Sequence, residues 1–318
     1  MAETSNNLPI KHISKAAAEE LQYMKGRQDG SIKSLKTPWK KMNMATMNGL
    51  EWGSINVIGG MSGSGKTAIL NELETGLFDQ NPNEDFVVLS FNFEMLARRL
   101  VGRKISKKLG RSVKQLYSAD FESPEYNLTR EDYITAEAYC RDELSKFPIY
   151  YVDLSGNVNQ IVSTITDFAL NGLGRGKSIV VTLDHSLLVK QLKGQDERQA
   201  LYALGAAFND LKKKLPVIFV IVSQLNRSIE SVERIENVDL HYPQKSDVFG
   251  ADALYQYSDL FMITHRPEML NIALYGPNKL PVEGYVYWHF IKTRDGEPFI
   301  GQMLNNLKHN KIVEGKNV

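Results

Sequence analysis

Eight residues, 60–67, have the composition and spacing of a phosphate-binding loop, Gly-Met-Ser-Gly-Ser-Gly-Lys-Thr. Glycines at these positions let successive backbone N–H groups turn towards the same phosphate oxygens. In the pattern G-x-x-x-x-G-K-[ST], the lysine, here Lys66, reaches the β- and γ-phosphates, and the hydroxyl, here of Thr67, ligates Mg²⁺. The motif therefore predicts binding of a nucleoside triphosphate, ATP, together with Mg²⁺.

The flanking residues favour this interpretation over a glycine- and serine-rich loop that contains a lysine by chance. The apolar run INVIG (55–59) precedes the motif, and AILNELETGLF (68–78) follows it as an amphipathic helix. A helix that begins at a phosphate also contributes the positive end of its dipole. The predicted nucleotide-binding residues are Gly60, Ser62, Gly63, Ser64, Gly65, Lys66, Thr67 and Ala68.

Hydrolysis needs a carboxylate beside the metal, a group that orients water and a cation for the developing charge. Asp184 ends an apolar run, so we predict that it holds Mg²⁺ through water; the alternative is a helix N-cap. Glu94 follows another run and either polarises the attacking water or is an exposed loop residue. Gln224 follows a third run and either hydrogen-bonds the γ-phosphate or caps a loop.

Seven short apolar runs rich in β-branched residues indicate strands buried on both faces. They are INVIG (55–59), FVVLSF (86–91), PIYYVD (148–153), SIVVTLD (178–184), PVIFVIVS (216–223), DLFMIT (259–264) and YVYWHFI (285–291). Several gaps between the first five have room for crossover helices, and residues 160–174 show apolar side chains at helical spacing. We therefore expect an α/β fold with a mainly parallel sheet flanked by helices, in which the last two runs form an antiparallel edge.

The residues before the phosphate-binding loop have a different pattern. Residues 12–26 form a predicted helix with one apolar face, made of Ile13, Ala17, Leu21 and Met24. Residues 27–41 are polar and interrupted by glycine and proline, which is typical of a linker. We expect an N-terminal arm over 1–41 and one compact domain over 42–318.

The composition excludes several classes of protein. Lys and Arg number 38 and Asp and Glu 37, a formal net charge of +1, so any nucleic-acid contact must be local. The single cysteine, Cys140, excludes a disulfide framework and a cysteine-rich zinc site. There is no apolar run of about 18 residues and no apolar secretory segment at the start. We expect a cytoplasmic protein without a membrane partner.

Charge is nevertheless concentrated in one segment. Residues 95–115 contain no acid and eight bases, Arg98, Arg99, Arg103, Lys104, Lys107, Lys108, Arg111 and Lys114, whereas acids prevail over 116–147. An apolar stripe beneath the bases predicts a surface helix. Two interpretations remain open, a solvated face balanced by the acidic segment, or a surface that faces a polyanion or another subunit.

Together these segments resemble the C-terminal ATPase domain of the DnaB-type replicative helicases, a branch of the RecA-like motors. LSFNFEM (89–95) is similar to the family's F-S-L-E-M, and LDHSLLV (183–189) to D-Y-L-Q-L, with His185 in place of Tyr. VIVSQLNRSIE (220–230) nearly matches S-Q-L-N-R-S. The block 246–266 resembles S-D-L-R-E-S-G with its continuation, and IKTRDGEPFIG (291–301) resembles K-x-R-N-G-x-x-G. The resemblance spans almost the whole chain and implies a RecA-like P-loop NTPase core.

The resemblance also implies roles for individual residues. Glu94 corresponds to the family's water-activating Glu, and Gln224 to its γ-phosphate sensor. Lys292 and Arg294 correspond to a Lys and an arginine finger that enter the ATP site of the neighbouring subunit in a homo-hexameric ring. From the sequence alone, these two would be exposed residues of a β-turn. The helix over 12–26 resembles the family's linker helix, which packs on the adjacent subunit; the alternative is a helix folded back on its own domain.

Residues 225–252 correspond to segments that face the central channel in the family, where single-stranded DNA would bind. Arg227 and Lys245 are candidate contributors of positive charge, and Phe249, beside Gly250, would stack on a base or simply pack. The family's D-L-R-E-S-G loop is here Asp-Val-Phe-Gly-Ala-Asp (247–252), without the Arg that contacts the DNA backbone. We expect no counterpart of the family's large N-terminal domain, which binds primase, so a primase or loader would be a separate partner.

The resemblance thus implies an ATP-dependent DNA helicase that hydrolyses ATP at ring interfaces and moves along single-stranded DNA during replication, 5′ to 3′ if it follows the family. Two alternatives stay open. A RecA/RadA-like recombinase would form filaments instead of rings. An ATP-driven switch or assembly factor would keep the motor core without unwinding DNA, and the altered loop 247–252 is the main feature that favours it.

Overall fold

The structure, a computed structural model, describes residues 8–118 and 127–315. The chain divides into two compact units, of which the first ends at Ser34 and the second begins at Leu35. The first unit contains helix α1 (Ile13–Asp29), which confirms the predicted helix and extends it at its C-terminal end. The side chains of Ile13, Leu21 and Met24 on the predicted apolar face are exposed.

In the described part of the second unit, nine strands form one sheet in the order β3-β2-β4-β5-β1-β6-β7-β8-β9. The strands are β1 (Ile55–Gly60), β2 (Phe86–Asn92), β3 (Ile149–Val152), β4 (Ser178–Asp184), β5 (Val217–Gln224), β6 (Leu260–His265), β7 (Tyr285–Thr293), β8 (Phe299–Asn306) and β9 (Lys311–Glu314). The first six pair in parallel and the last three antiparallel. The mainly parallel sheet and all seven predicted strands are confirmed.

The predicted antiparallel edge is wrong in its position. β6 lies inside the sheet, parallel to β1, and only its pairing with β7 is antiparallel. Two strands that we did not predict, β8 and β9, continue the sheet beyond β7. Their residues are partly exposed, so they lack the continuous apolar run that marks a strand buried on both faces.

Helices cover both faces of the sheet. They are α2 (Lys40–Met44), α3 (Lys66–Gln80), α4 (Ala97–Leu109), α5 (Val113–Tyr117), α6 (Arg130–Asp142), α7 (Val158–Leu170), α8 (Glu197–Leu211), α9 (Val232–Glu236) and α10 (Ala251–Tyr257). Apolar residues of α7, α8 and α10 form the core on one face, and those of α2 and α3 on the other. Leu35 and Trp39, which we predicted to belong to the arm, are buried in the second core. Among the described residues, no helix has the length and hydropathy that a bilayer crossing requires.

Of the two interpretations of the bases over 95–115, the solvated face balanced by the acidic segment holds only in part. Lys104 of α4 is buried and forms an ion pair with Glu74 of α3. Lys108, in contrast, is partly exposed and pairs with Glu143 of the acidic segment, as expected for a balanced surface. The predicted apolar stripe gave no indication that a lysine would turn inwards, because that depends on a carboxylate from another helix.

The parallel register gathers the carboxyl ends of the central strands at one edge of the sheet. Gly60, which ends β1, is paired with Gln224, which ends β5. Asn92, which ends β2, is paired with Asp184, which ends β4. Side chains at the ends of these strands, or just after them, therefore lie near one another, as they do at the ligand-binding edge of open α/β sheets.

Candidate nucleotide-binding site

The phosphate-binding loop joins β1 to α3 and depends on its glycines. Gly63 and Gly65 have φ values of 78° and 97°, in the left-handed region that a side chain disfavours. A Cβ at Gly60 would lie 2.4 Å from Oγ of Ser64, and one at Gly65 would lie 2.8 Å from the side chain of Leu307. The loop backbone is thus packed against the side chains of Ser64 and Leu307, and a larger residue at these positions would displace it.

Lys66 begins α3 and reaches back over this loop. Its Nζ donates to the carbonyl oxygens of Gly60 and Met61, both at 2.7 Å. Burial lowers the pKa of Lys66 to about 8, and the carboxylates of Asp184 and Glu94 oppose that shift. The ammonium is therefore held at the mouth of the loop, where it can exchange these carbonyl contacts for phosphate oxygens.

Thr67 and Asp184 meet beside the loop. Oγ1 of Thr67 donates to Oδ2 of Asp184 at 2.8 Å. Burial raises the pKa of Asp184 to about 6, although the hydrogen bond from Thr67 lowers it. The second oxygen, Oδ1, is buried and has no hydrogen-bond partner among the described residues.

This pair fits Mg²⁺. A hydroxyl and a carboxylate are hard oxygen donors, and the buried Oδ1 of Asp184 has unused acceptor capacity. In the described part of the chain, no cluster of three or more His, Cys, Asp or Glu residues could hold a metal. The site therefore suits an ion that takes one or two protein ligands and completes its shell with water and phosphate oxygens.

Glu94, His185 and Gln224 form a second group at the same edge of the sheet. Nε2 of His185 lies 3.0 Å from Nε2 of Gln224 and 3.8 Å from Oε2 of Glu94. Burial lowers the pKa of His185, which favours the neutral ring that accepts from the Gln224 amide. Glu94 keeps half of its side chain exposed. We did not predict that the histidine after Asp184 would lie between these two residues, since their proximity comes from three different strands.

An open cleft lies over the loop. Predicted residues that line it are Ser62, Gly63, Gly65, Lys66, Thr67, Ala68, Glu94 and Gln224. Residues that we did not predict complete it, Met95, Arg103, Ser112, Val113, Lys114, Leu307, Lys308 and Asn310. Four of the lining residues are bases, Lys66, Arg103, Lys114 and Lys308, against one acid, Glu94, so the cleft is basic, as a site for phosphates requires.

Arg103 is the clearest residue that we missed. It lies on α4, in the basic run, and lines the cavity together with Lys66. Burial lowers its pKa, and the carboxylates of Asp184 and Glu94 oppose that shift. The only signal in the sequence was its place on the first helix after Glu94, which it shares with five other bases.

Lys292 and Arg294 are not near the phosphate-binding loop of their own chain. β7 runs antiparallel to β6, and its last residue, Thr293, is paired with Leu260 at the start of β6. The loop instead follows Gly60, which is paired with Thr264. At ~3.3 Å per residue, the two ends of these strands are separated by roughly 13 Å along the strand direction alone.

At that opposite edge, both cations have partners. Nη1 of Arg294 lies 2.8 Å from Oδ1 of Asp259, and just over half of the Arg294 side chain is exposed. Nζ of Lys292 donates to the carbonyl oxygen of Tyr255 at 2.6 Å. A single chain therefore brings together the phosphate loop, Thr67, Asp184, Glu94 and Gln224. It does not bring Lys292 and Arg294 to them.

Three of the four candidate nucleic-acid contacts share one surface cavity. Lys245, Phe249 and Gly250 line it, while Arg227 is exposed on the preceding segment. Phe249 is 37% exposed, so its ring is accessible. Nζ of Lys245 lies 3.0 Å from Oδ1 of Asp252, which partly neutralises its charge.

Comparisons with known proteins agree with this geometry. The family model described as DnaB-like helicase C terminal domain matches residues 34–303. A solved ATPase domain is 18% identical, with a TM-score of 0.78 over 97% of this chain and 100% of that chain. A solved structure of a DnaB-like replicative helicase and its interactions with primase is also 18% identical, with a TM-score of 0.77 over 98% of this chain and 69% of that chain. A search of curated proteins found no match. The structural likeness confirms the predicted RecA-like ATPase fold.

Proposed function

Because this chain belongs to the DnaB-like helicase C-terminal domain family, we propose that it is the ATP-driven motor of a replicative DNA helicase. In this proposal the protein forms a homo-hexameric ring, hydrolyses ATP where two subunits meet and moves along single-stranded DNA. The family's direction of travel, 5′ to 3′, is part of the proposal.

The observation that carries the proposal is the separation of the predicted catalytic residues. The phosphate loop and its carboxylates lie at one edge of the sheet, and Arg294 lies at the other edge with much of its side chain exposed. A cation on one edge can meet the phosphates on the opposite edge when a second copy docks edge to edge. A closed ring of such contacts gives every subunit one complete site.

Within one subunit, each residue has a defined task. Lys66 binds the β- and γ-phosphates, and Glu94 orients the attacking water. Thr67 and Asp184 hold Mg²⁺, which when bound neutralises phosphate charge. Arg103 is a further cation in the same cavity, contributed by the chain that holds the nucleotide.

The neighbouring subunit supplies Arg294 and Lys292. An arginine finger stabilises charge that develops on the transferred phosphoryl group and contributes roughly 10³–10⁵ in rate in other phosphoryl-transfer systems. Exposure of Arg294 supports this role, since the side chain can extend towards another subunit. An isolated monomer is therefore expected to bind ATP but to hydrolyse it slowly.

A short hydrogen-bonded path connects the nucleotide to the proposed DNA surface. The backbone N–H of Phe249 donates to the carbonyl oxygen of Gln224 at 2.9 Å, and that of Asn226 donates to the carbonyl oxygen of Asp247. A change in the contact between Gln224 and the γ-phosphate would thus shift the segment that carries Phe249. This path supports coupling between hydrolysis and movement on DNA.

Two further contacts belong to the proposal. Helix α1 has an exposed apolar face, which supports docking of this helix on an adjacent subunit. One solved relative is described with its interactions with primase. We propose a separate primase or loader as a partner of the ring.

Mixed rings test the division of the site between two chains. Arg294→Ala subunits keep an intact phosphate loop, and Lys66→Ala subunits keep an intact finger. Each variant alone should be inactive, but a mixture should recover ATPase activity where a Lys66→Ala subunit presents Arg294 to an Arg294→Ala neighbour. Sizing with an ATP analogue and a fork-unwinding assay should accompany the mixture. A mixture with no recovery, made of variants that still assemble, would contradict the shared site.

A second function, an ATP-driven switch without DNA unwinding, is favoured by one observation. Asp252 pairs with both Lys245 and Arg198, so the cations beside Phe249 are partly neutralised. ATPase activity measured with and without single-stranded DNA separates the two functions. Stimulation supports the helicase motor, and equal rates support the switch.

A further inference from the structure

A buried ion pair joins the helix of the phosphate loop to the helix of Arg103. Nζ of Lys104 on α4 lies 2.8 Å from Oε2 of Glu74 on α3, and their side chains are 3% and 1% exposed. Placing two charges in a protein interior costs several kcal/mol each before their attraction is counted. Apolar residues of similar size often give equal or greater stability at such positions, so stability alone does not account for this pair.

The carboxylate of Glu74 also accepts from side chains on three strands of the sheet, with the longest contact, 3.4 Å, between its Oε2 and Oη of Tyr151 on β3. Oε1 of Glu74 accepts from Oγ of Ser90 on β2 at 2.5 Å and from Oγ1 of Thr182 on β4 at 3.2 Å. The two hydroxyls contact each other at 2.8 Å. Glu74, Ser90 and Thr182 are buried, so one carboxylate fixes two adjacent strands and, through Lys104, a helix.

The anchored elements are those that carry the proposed catalytic groups. Thr182 precedes Asp184 by two residues, and side chains two apart in a strand project from the same face. Ser90 lies on β2, whose end leads directly to Glu94. Glu74 itself lies on α3, two turns beyond Lys66 and Thr67.

We propose that Glu74 is a positioning residue for ATP hydrolysis, an inference that rests on the proposed function. Its carboxylate sets the spacing between α3, β2, β4 and α4, and so aligns the metal-side carboxylate, the water-orienting carboxylate and Arg103 on one nucleotide. It touches none of the reacting atoms. Its effect is therefore on kcat, because a misplacement of about 1 Å in a catalytic group can cost about 10²-fold in rate.

The sharpest test removes the contacts of Glu74 with β2 and β4 and keeps the ion pair with Lys104. A Ser90→Ala, Thr182→Val double variant leaves Glu74 paired with Lys104 and creates no uncompensated charge. We expect kcat for ATP to fall by about 10- to 100-fold, with little change in the Kd of MgATP, because the phosphate loop is untouched. Phosphate release, titration with a fluorescent ATP analogue and thermal unfolding by circular dichroism give the three readouts.

Lys107→Met is the matched control. Lys107 joins the same two helices through Glu72, at 2.9 Å, but neither residue contacts Ser90 or Thr182. This variant should keep the wild-type kcat. Two single variants complete the set. Thr182→Ser, which keeps the hydroxyl, should lose much less of the rate than Thr182→Val, which removes it.

Glu74→Gln alone leaves the buried Lys104 without a counter-charge and can unfold the protein, so Glu74→Gln with Lys104→Met is the second variant. This variant should also lower kcat by a larger factor than it raises the Kd of MgATP. Wild-type kcat in both combined variants would overturn the inference, as would losses of kcat that merely follow the unfolded fraction. A wild-type chain without ATPase activity would instead overturn the proposed function itself, so the two failures can be told apart.

Discussion

Arg294 and Asp259 form an ion pair at the edge of the sheet opposite to the phosphate-binding loop, with Nη1 2.8 Å from Oδ1. Asp259 is a fixed support, since its Oδ2 also accepts from Nζ of Lys212 and from the backbone N–H of Ile55, each at 2.8 Å. The guanidinium is thus held at a defined point of the surface with part of it free to face another molecule. A side chain that is already ordered loses less conformational freedom on binding a phosphate than a mobile side chain does.

The first prediction concerns Arg294 itself. Arg294→Ala should lower kcat by roughly 10³-fold or more, because it removes the cation for the transferred phosphoryl group. The Kd of MgATP should change little, since this residue lies far from the loop that binds the phosphates. Steady-state phosphate release and nucleotide titration measure the two quantities. Arg141→Ala, an exposed arginine of α6, is the control, and a rate in Arg294→Ala equal to that of the control would refute the finger role.

The second prediction concerns the support of Arg294. Asp259→Asn should lower kcat less than Arg294→Ala does, because the cation is kept but is no longer fixed. It should also lower the free energy of unfolding by about 1–3 kcal/mol, since Lys212 loses a partly buried partner. Denaturant unfolding and phosphate release check both effects. Unchanged turnover in this variant would show that the ion pair does not position Arg294.

The third prediction uses the pKa of Asp184, which burial raises from 3.8 to about 6. A raised carboxyl pKa means that the folded protein binds this proton more tightly than the unfolded chain. Ionising Asp184 therefore lowers the free energy of unfolding, and this loss grows as the pH rises from about 4 to about 6. Above that range it amounts to at most about 3 kcal/mol. Asp184→Asn should therefore be more stable than the wild type at pH 7 without Mg²⁺ or nucleotide.

Denaturant unfolding over pH 4–8 measures this difference, which should vanish towards the acidic end. The same variant should lack ATPase activity, since an amide is a poor ligand for Mg²⁺ at this position. A stability difference that is constant with pH would mean that Asp184 carries no such penalty.

The fourth prediction concerns the proposed DNA surface. Phe249→Ala should weaken binding of single-stranded DNA by about 1–3 kcal/mol if the exposed ring stacks on a base. Arg227→Ala should weaken it and reduce its dependence on salt, because one phosphate contact is lost. Fluorescence anisotropy at several salt concentrations measures both. Tyr133→Ala, an exposed aromatic residue of α6, is the control, and equal affinities in all three variants would exclude this surface.

The fifth prediction concerns helix α1. Leu21→Asp should weaken ring assembly, because Leu21 is 65% exposed on the apolar face that we propose to dock on a neighbour. Gln22→Asp, on the same helix, should leave assembly unchanged. Light scattering with an ATP analogue distinguishes the two variants, and intact rings in Leu21→Asp would exclude this docking face.

Much of the candidate site could be predicted because its signals are local. The phosphate-binding loop is contiguous, and its glycines are required by backbone angles that the sequence motif encodes. Asp184 and Gln224 were found because buried parallel strands are visible as continuous apolar runs, and their carboxyl ends share one edge.

Other residues could not be predicted because their roles depend on partners distant in the chain. Arg103 and Lys104 are adjacent bases in a basic run, yet one lines the nucleotide cavity and the other is buried against Glu74. Strands β8 and β9 were missed because partly exposed strands lack a continuous apolar run.

The sequence by itself determined the phosphate-binding loop and the apolar runs that form strands, since both are encoded in short stretches of residues. Only the tertiary structure decided which lysine turns inwards, which histidine lies between Glu94 and Gln224, and that Arg294 lies away from the phosphate loop of its own chain. The physical reason is that burial and ion pairing are set by contacts between elements far apart in the chain, and sheet register fixes which of those elements meet.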